Sequence, residues 1–261
     1  MAKNGTTRSL FELTGKVALV TGASKGIGET IAHALAEYGA SVVVSSRKQE
    51  AVDSVAQQIK SRGFEATAIA ANMGRMEQAE ALVDSAVSEY GALDIIVNNA
   101  ATNPVYGSID QTDSGAFDKI IDVNLKGPLM LCNKAYPILK ARGGGSIIHL
   151  SSIGGLTPEK GIGMYSVSKA ALINLTKAMA QDWGKDNIRI NAICPGLIKT
   201  KFSEALWRDD QNRKRFLSKI PMGRLGETQD LAGLAVFLAS EASAYCTGGF
   251  YMVVCCDTVD Y

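Results

Sequence analysis

The feature that most constrains the fold is a glycine-rich turn between an apolar run and a helix-like run near the N-terminus. The apolar residues 17–20 lead into residues 21–28, which carry Gly22, Gly26 and Gly28, and residues 31–38 follow with a helical pattern. Glycines let the backbone turn tightly and approach a pyrophosphate, whose charge is favoured by free N–H groups and the helix dipole. Strand, glycine turn and helix in this order predict a dinucleotide site.

A second pattern places reactive side chains after another apolar run. Ser152 follows the apolar residues 146–150 and is expected at the carboxyl end of a strand, the edge at which open parallel sheets bind ligands. Tyr165 and Lys169, four positions apart, share one face of a predicted helix. A nearby ammonium would favour phenolate and lower the pKa of Tyr165. The pair alone also fits an exposed, chemically idle Tyr and Lys, and the glycine turn is what favours a proton-transfer site.

Composition bounds the class of protein. With 261 residues and 46% hydrophobic residues, the chain can bury a sizeable core, and we expect one domain over residues 13–261 after a disordered lead over residues 1–12. The net charge of +1 gives no reason to expect a nucleic acid or an anionic membrane as partner. No apolar run approaches the ~18 residues of a transmembrane segment. The first eight residues lack the apolar core of a secretion signal.

Cysteine and histidine usage argues against a metal site. The five cysteines are odd in number, lack metal-type spacing and indicate free thiols in a reducing, cytoplasmic compartment. The two histidines, His33 and His149, stand in apolar surroundings, where a core or surface role is the expected one. We therefore predict no metal.

Five elements in order give the chain its resemblance to the short-chain dehydrogenase/reductase family, in the branch of about 250 residues. These elements are the glycine turn at residues 21–28, Asn98-Asn99-Ala100, Asn124, Ser152 with Tyr165 and Lys169, and Pro195-Gly196 followed by Thr200. The match runs from about residue 13 to residue 252. The resemblance implies an α/β fold: a single-domain Rossmann fold with a doubly wound, seven-stranded parallel sheet and helices on both faces.

The resemblance also assigns roles to individual residues. In the family, the tyrosine matching Tyr165 exchanges a proton, the serine matching Ser152 hydrogen-bonds the reacting oxygen, and the lysine matching Lys169 tunes the tyrosine and binds the nicotinamide ribose. The asparagine matching Asn124 binds a water that relays protons. The cofactor positions that match are Gly22, Ser24, Lys25, Gly26, Ile27, Gly28, Ser46, Arg47, Lys48, Asn72, Met73, Asn99, Ala100, Tyr165, Lys169, Pro195, Gly196, Ile198 and Thr200.

Basic residues favour NADP over NAD. Sheets of this type that bind NAD place an acid after the second strand for the ribose 2′-hydroxyl, whereas a basic group suits a 2′-phosphate. This chain has Ser46 and Arg47 there, and Lys25 within the glycine turn, where relatives that use NADP carry Lys or Arg. The alternative is that Arg47 and Lys48 only begin a solvated helix.

Loops after the strands should form the substrate pocket. By resemblance, residues 198–220 are a helical flap over the substrate. Separately, a kink is expected at Gly127-Pro128 in the long helical stretch 113–141, because a proline removes a helical hydrogen bond. The predicted pocket residues are Asn103, Val105, Leu156, Met164, Leu197, Phe202, Leu206 and Trp207. The tail from Val254 onward departs from the Asp-Gly-Gly that relatives commonly carry, which leaves assembly and substrate fit open.

These observations predict an NADP(H)-dependent enzyme that reversibly reduces a ketone or aldehyde to an alcohol. The runner-up is a 3-oxoacyl-carrier-protein reductase, and the basic residues of the flap are a weak argument for it because they could recognise an acidic carrier protein. A non-catalytic NADP-binding scaffold is less favoured, because such a protein need not keep Ser152, Tyr165, Lys169 and Asn124 together. The resemblance also implies a homotetramer.

Overall fold

Seven parallel strands form one sheet in the computed structural model, which describes residues 6–218 and 220–255. The strands are β1 (Val17–Thr21), β2 (Ser41–Ser46), β3 (Ala66–Ala70), β4 (Ile95–Asn98), β5 (Gly145–Leu150), β6 (Ile188–Pro195) and β7 (Phe250–Val253). Their spatial order is β3-β2-β1-β4-β5-β6-β7. The chain moves outward from β1 to β3 and then returns to place β4 beside β1, so the predicted doubly wound α/β fold is confirmed.

Helices cover both faces of this sheet. They are α1 (Gly26–Glu37), α2 (Gln49–Ser61), α3 (Met76–Tyr90), α4 (Ser114–Ile121), α5 (Gly127–Ala141), α6 (Gly163–Trp183), α7 (Glu204–Trp207), α8 (Asp210–Leu217) and α9 (Ala232–Ala239). Helices α1, α2 and α9 pack on one face, and α3, α5 and α6 pack on the other. The strands are continuously apolar because alternate residues enter different cores: Val20 lies on the α1 side and Leu19 on the α3 side.

The described part of the N-terminal lead is ordered, so the prediction of disorder over residues 1–12 is wrong there. Thr7–Phe11 forms a 3-10 helix. The Phe11 ring packs against Phe237 with ring centres 6.4 Å apart, and it covers the edge of the α1-side core. Residues 1–5 of the predicted lead lie outside the described residues.

The long helical stretch is interrupted differently from the prediction. Its two halves, α4 and α5, are joined by a π-helical turn over Asp122–Lys126. Pro128 lies two residues beyond this turn in a continuously helical backbone, and it offers no N–H to the carbonyls of the turn. At Gly127, the next residue after the turn, the Met73 carbonyl approaches so closely that a Cβ would not fit.

The flap contains two short helices, α7 and α8, rather than the single helix that was predicted.

Within the described residues, no helix is long and apolar enough to cross a bilayer, and no group of three or more His, Cys, Asp or Glu side chains could hold a metal. Cys132, Cys194, Cys246 and Cys255 are free thiols, and Cys256 of the unusual tail lies outside the described residues.

Candidate active site

A cavity of about 1140 Å³ opens at the carboxyl ends of the strands. It lies where the strand order reverses between β1 and β4, the place at which open α/β sheets bind ligands. Its lining includes every predicted cofactor residue except Gly28, as well as Ser152 and, from the predicted pocket, Asn103, Leu197, Phe202 and Leu206. Residues far apart in the sequence thus share one cleft.

Close backbone packing fixes the glycine turn. Gly22 has φ 64°, and a Cβ there would stand 2.8 Å from the Ala100 Cα, so only glycine fits. Gly28 is buried behind the turn rather than in the cavity lining, and a Cβ on it would meet the Gly22 carbonyl oxygen at 2.6 Å. The Asn99 Nδ2 donates to the carbonyl oxygens of Thr21 and Gly22, each at 3.0 Å, which joins the turn to the end of β4.

The end of β2 presents cations and hydroxyls to the cavity. Ser46, Arg47 and Lys48 line it, and residues 46–49 contain no carboxylate. Ser45, which the sequence analysis did not select, also lines the cavity, and its buried hydroxyl makes no hydrogen bond within the described part of the chain. A buried hydroxyl without a partner costs free energy unless a ligand satisfies it. Together with the glycine turn, these groups fit a dinucleotide that carries an additional phosphate.

The adenine end predicted at Asn72 and Met73 also lies in the cavity lining. The Asn72 Oδ1 accepts a hydrogen bond from the Gly74 backbone N–H at 3.0 Å, so part of its amide is used locally. On the opposite side of the cleft, Thr200 and Ser203 bond to each other through their hydroxyls at 3.1 Å, and Ile198 forms a parallel bridge with Gly226. These contacts hold the segment after β6 against the cavity.

Ser152 and Tyr165 meet in the lining of the cavity. Ser152 stands two residues beyond β5, and its hydroxyl oxygen accepts a hydrogen bond from the Gly154 backbone N–H at 3.0 Å. Tyr165 is in the first turn of α6, and its phenol is hydrogen-bonded to the Ser152 side chain. The Phe202 ring covers the Tyr165 ring, with centres 5.9 Å apart. A carbonyl oxygen at this point would meet two hydroxyl donors.

Lys169 lies one helical turn beyond Tyr165, as predicted. It is 2% exposed, and its Nζ is 5.6 Å from the centre of the Tyr165 ring and donates to the Leu150 carbonyl oxygen at 2.6 Å. Burial lowers the pKa of Lys169 from 10.5 to about 8, while the neighbouring Cys194 thiol acts in the opposite direction. The ammonium therefore persists at neutral pH and is lost in moderately basic solution.

The direction predicted for the pKa of Tyr165 is wrong in this structure. Burial raises the pKa of the phenol above its usual value of 10, and this exceeds the lowering by the hydrogen bond with Ser152. The charge of Glu159 raises it further. Lys169 is not among the groups that lower this pKa, and its ammonium donates to the Leu150 carbonyl oxygen. At neutral pH the phenol is protonated, which suits a proton donor.

Asn124 is fully buried at the π-helical turn and joins two parts of the site rather than lining the cavity. Its Oδ1 accepts from the Thr102 N–H at 2.8 Å, and its Nδ2 donates to the Thr102 carbonyl and the Ser168 hydroxyl, each at 3.0 Å. Both amide hydrogens are thus used, and the water relay assigned to this residue by resemblance stays a prediction.

Four predicted pocket residues do not line the cavity: Val105, Leu156, Met164 and Trp207. Leu156 instead packs on the small core of Ile173, Ala192 and Cys194. The Trp207 indole N–H donates to the Ser203 hydroxyl at 3.1 Å, which holds its ring within the flap. Sequence position suggested that all four would line the cavity, but Leu156 and Trp207 contact other partners instead.

Other lining residues were absent from the predicted set. The cavity wall includes Tyr106, Ile153, Glu159, Met222 and, from the tail, Val254 and Cys255. The Met222 backbone nitrogen lies 3.1 Å from the Cys255 Sγ, so the segment just after the flap contacts the tail. The unusual tail was the sequence signal for this wall, although its residues could not be assigned to the cavity without the structure.

Comparison with known proteins extends the likeness beyond the motifs. A family model described as enoyl-(acyl carrier protein) reductase matches residues 22–254. The human protein named dehydrogenase/reductase SDR family member 4 is 44% identical over 248 residues, which cover 95% of this chain and 89% of that protein. Since identity at this level spans nearly the whole chain, the relationship does not depend on a few short motifs.

Two solved structures are similar over the same length. A gluconate 5-dehydrogenase from Burkholderia cenocepacia J2315, in complex with NADP and tartrate, is 33% identical with a TM-score of 0.90, over 94% of this chain and 96% of that chain. A 7α-hydroxysteroid dehydrogenase, in complex with NADH and 7-oxo glycochenodeoxycholic acid, is 33% identical with a TM-score of 0.92, over 96% of this chain and 97% of that chain. The chain therefore belongs to the short-chain dehydrogenase/reductase family.

Proposed function

We propose that the protein is an NADP(H)-dependent oxidoreductase that reversibly reduces a ketone or aldehyde to the corresponding alcohol. The observation that carries this proposal is the meeting of Ser152 and Tyr165 in the same cavity as the glycine turn. The bound cofactor supplies the hydride, and the protein supplies orientation and electrostatics.

The protein's own residues handle the carbonyl oxygen. Ser152 donates a hydrogen bond to that oxygen, and Tyr165 transfers its proton there as negative charge develops. The raised pKa of Tyr165 supports this direction, because the phenol is fully protonated at neutral pH. Lys169 keeps a positive charge beside the ring and lies in the lining, where it can reach a bound ribose.

The preference for NADP(H) rests on this chain's residues. Of the two solved relatives above, one holds NADP and the other NADH, so the family accommodates both cofactors. Here Lys25, Arg47 and Lys48 line the cavity, and the Ser45 hydroxyl adds a donor. Three cations and an available hydroxyl suit a 2′-phosphate.

The carrier-protein alternative rests on the cations of the flap. Arg208 lies 4.0 Å from Glu204 and Arg213 lies 2.9 Å from Asp210, and both arginines are exposed, so these weak surface ion pairs leave the alternative open. The homotetramer and the cytoplasmic location stay predictions.

The test is a set of initial rates with NADPH and NADH against aryl ketones, cyclic ketones, diketones, ketoesters and acetoacetyl thioesters. We expect reduction of at least one free ketone, at least about tenfold faster with NADPH. Tyr165→Phe should lower turnover by about 10²- to 10⁴-fold while NADPH still binds. Normal turnover by this variant, or no turnover of any carbonyl by the folded, cofactor-binding protein, would contradict the proposal, and reduction of thioesters alone would favour the carrier-protein alternative.

A further inference from the structure

The Tyr106 side chain connects the two sides of the cavity. It extends from the loop after β4, and its phenol lies 3.3 Å from the backbone carbonyl oxygen of Phe202, to which it donates a hydrogen bond. Both residues line the cavity, and Phe202 belongs to the flap. Tyr106 is 48% exposed, so this hydrogen bond stands at the mouth of the cleft, where it can break and form again.

The loop that carries Tyr106 is itself attached to the catalytic helix. The Gly107 backbone N–H donates to the Gly161 carbonyl oxygen at 2.9 Å, and Gly107 forms a parallel bridge with Ile162. Helix α6, which carries Tyr165, begins at the next residue, Gly163. Tyr106 therefore extends from a support that is fixed relative to the catalytic tyrosine.

On the flap side, the bonded carbonyl belongs to the residue that covers the reacting phenol. The Phe202 ring lies over Tyr165, with ring centres 5.9 Å apart and planes inclined at 45°. Any shift of the Phe202 backbone moves this cover. Tyr106 and Tyr165 both line this cavity, so the two phenols share one cleft.

We propose that Tyr106 is a positioning residue whose hydroxyl holds the flap closed and, through Phe202, sets how tightly the carbonyl substrate is enclosed. The inference rests on the proposed function, since the closed cleft is the one in which the ketone is reduced. Closure of this kind excludes water and holds the substrate against the proton donor. A single partly exposed hydrogen bond is strong enough to bias the flap and weak enough to let it open.

The direct test is Tyr106→Phe, which removes the hydroxyl and keeps the ring. Tyr38→Phe is the matched control, because Tyr38 is similarly exposed, at 46%, and lies at the opposite edge of the sheet, just before β2. Hydrogen exchange is measured on the flap peptide spanning residues 198–210, with and without NADPH. Loss of one neutral hydrogen bond should speed flap exchange about threefold to tenfold. Exchange in α1 should stay unchanged, as should flap exchange in the control.

Steady-state kinetics on the best ketone give the second measurement. The KM for the ketone should rise about threefold to tenfold in Tyr106→Phe, and kcat should change less than twofold, because Ser152 and Tyr165 are intact. Unchanged flap exchange, or a fall in kcat with an unchanged KM, would overturn the inference. If no carbonyl is reduced at all, the proposed function fails while flap exchange still decides the role of Tyr106.

Discussion

The two sides of the cleft are built in different ways. The sheet side, formed by the glycine turn and the ends of β1, β2, β4 and β5, is held by backbone packing that leaves no room for a Cβ at Gly22 or Gly28. The flap side depends on a few side-chain hydrogen bonds, such as those of Ser203 to Ile198 and Trp207. Under the proposed function, the sheet side holds the cofactor, which every turnover uses, and the flap side contacts the substrate, so the flap can vary with the substrate at small cost.

The largest effect should come from breaking the sheet side at Gly28. Gly28→Val introduces a Cβ against the Gly22 carbonyl oxygen, which cannot move without breaking the contacts of Asn99. We expect a loss of about 3 kcal/mol in the free energy of unfolding, together with weaker NADPH binding. Urea unfolding and fluorescence titration measure the two effects.

Gly233→Ala is the control for this substitution. Gly233 lies within α9, and a Cβ there would meet nothing within 4 Å. The free energy of unfolding should be equal or up to about 1 kcal/mol higher. Similar losses in both variants would show that the close approach at Gly28 has no special energetic weight.

A pH experiment examines the sheet side at His149 on β5. This side chain is fully buried, and its Nδ1 lies 2.9 Å from the Thr176 hydroxyl oxygen, which donates its own hydrogen to the Leu172 carbonyl. Burial, with a smaller effect of Lys169, lowers the pKa of His149 from 6.5 to about 3. As pH falls, the unfolded chain takes up this proton first, so the folded state loses stability from about pH 6.5 down to about pH 3.

Between pH 6.5 and 4.5, this linkage should cost about 2–3 kcal/mol in the wild type. His149→Gln removes the titration, so its free energy of unfolding should fall less over the same interval, although it starts lower. Carboxylates titrate in both proteins and cancel in the comparison of urea unfolding at the two pH values. Equal losses in the two proteins would mean that His149 is not held neutral by its surroundings.

The cation beside the sheet should decide which cofactor is used. Arg47→Asp places a carboxylate where a 2′-phosphate is expected, and we expect the KM for NADPH to rise at least about tenfold while the KM for NADH falls or stays constant. Lys60→Asp makes the same change of charge at the far end of α2 and serves as the control. A similar rise in the control would mean that overall charge, rather than Arg47, sets the preference.

The smallest effect is expected on the flap side. Ser203→Ala removes a hydroxyl that bonds to Ile198 and Trp207, and it should loosen the flap by about 1 kcal/mol without changing the midpoint of global unfolding. With Trp183→Phe as background, Trp207 is the single tryptophan, and its fluorescence should become easier to quench with acrylamide. Ser85→Ala, on the exposed face of α3, should leave quenching unchanged. An effect on global unfolding as large as that of Gly28→Val would remove the distinction between the two sides.

The sequence predicted the sheet side well, because its chemistry is local. Continuous apolar strands, the glycine turn and the four-residue spacing of Tyr165 and Lys169 each follow from short stretches of chain, and the structure contains all three. The side chains at these positions have little freedom, so their placement follows from that of the backbone.

What could not be predicted depends on contacts between distant segments. The close approach of the Met73 carbonyl to Gly127, beside the π-helical turn, joins segments far apart in the sequence, and the direction of the pKa shift at Tyr165 depends on burial of its phenol within the assembled cleft. Leu156 and Trp207 were assigned to the cavity from their order in the chain, but their packing partners lie elsewhere. That the Ser45 hydroxyl has no hydrogen-bond partner among the described residues is visible only when its neighbours are in place.

The bonds from Asn99 to the glycine turn also bear on the order in which the protein folds. Asn99 and Thr21 are separated by 78 positions, and the chain must return from β3 past β2 and β1 before the Asn99 amide can reach the turn. Nonlocal pairing of this kind slows folding, and synthesis delivers the N-terminal segments first. The first three strands therefore emerge from the ribosome well before the glycine turn after β1 can take its final shape. Nucleotide affinity arises only after β4 has been made and paired, so a nascent chain ending before residue 99 should gain no stabilisation from the cofactor.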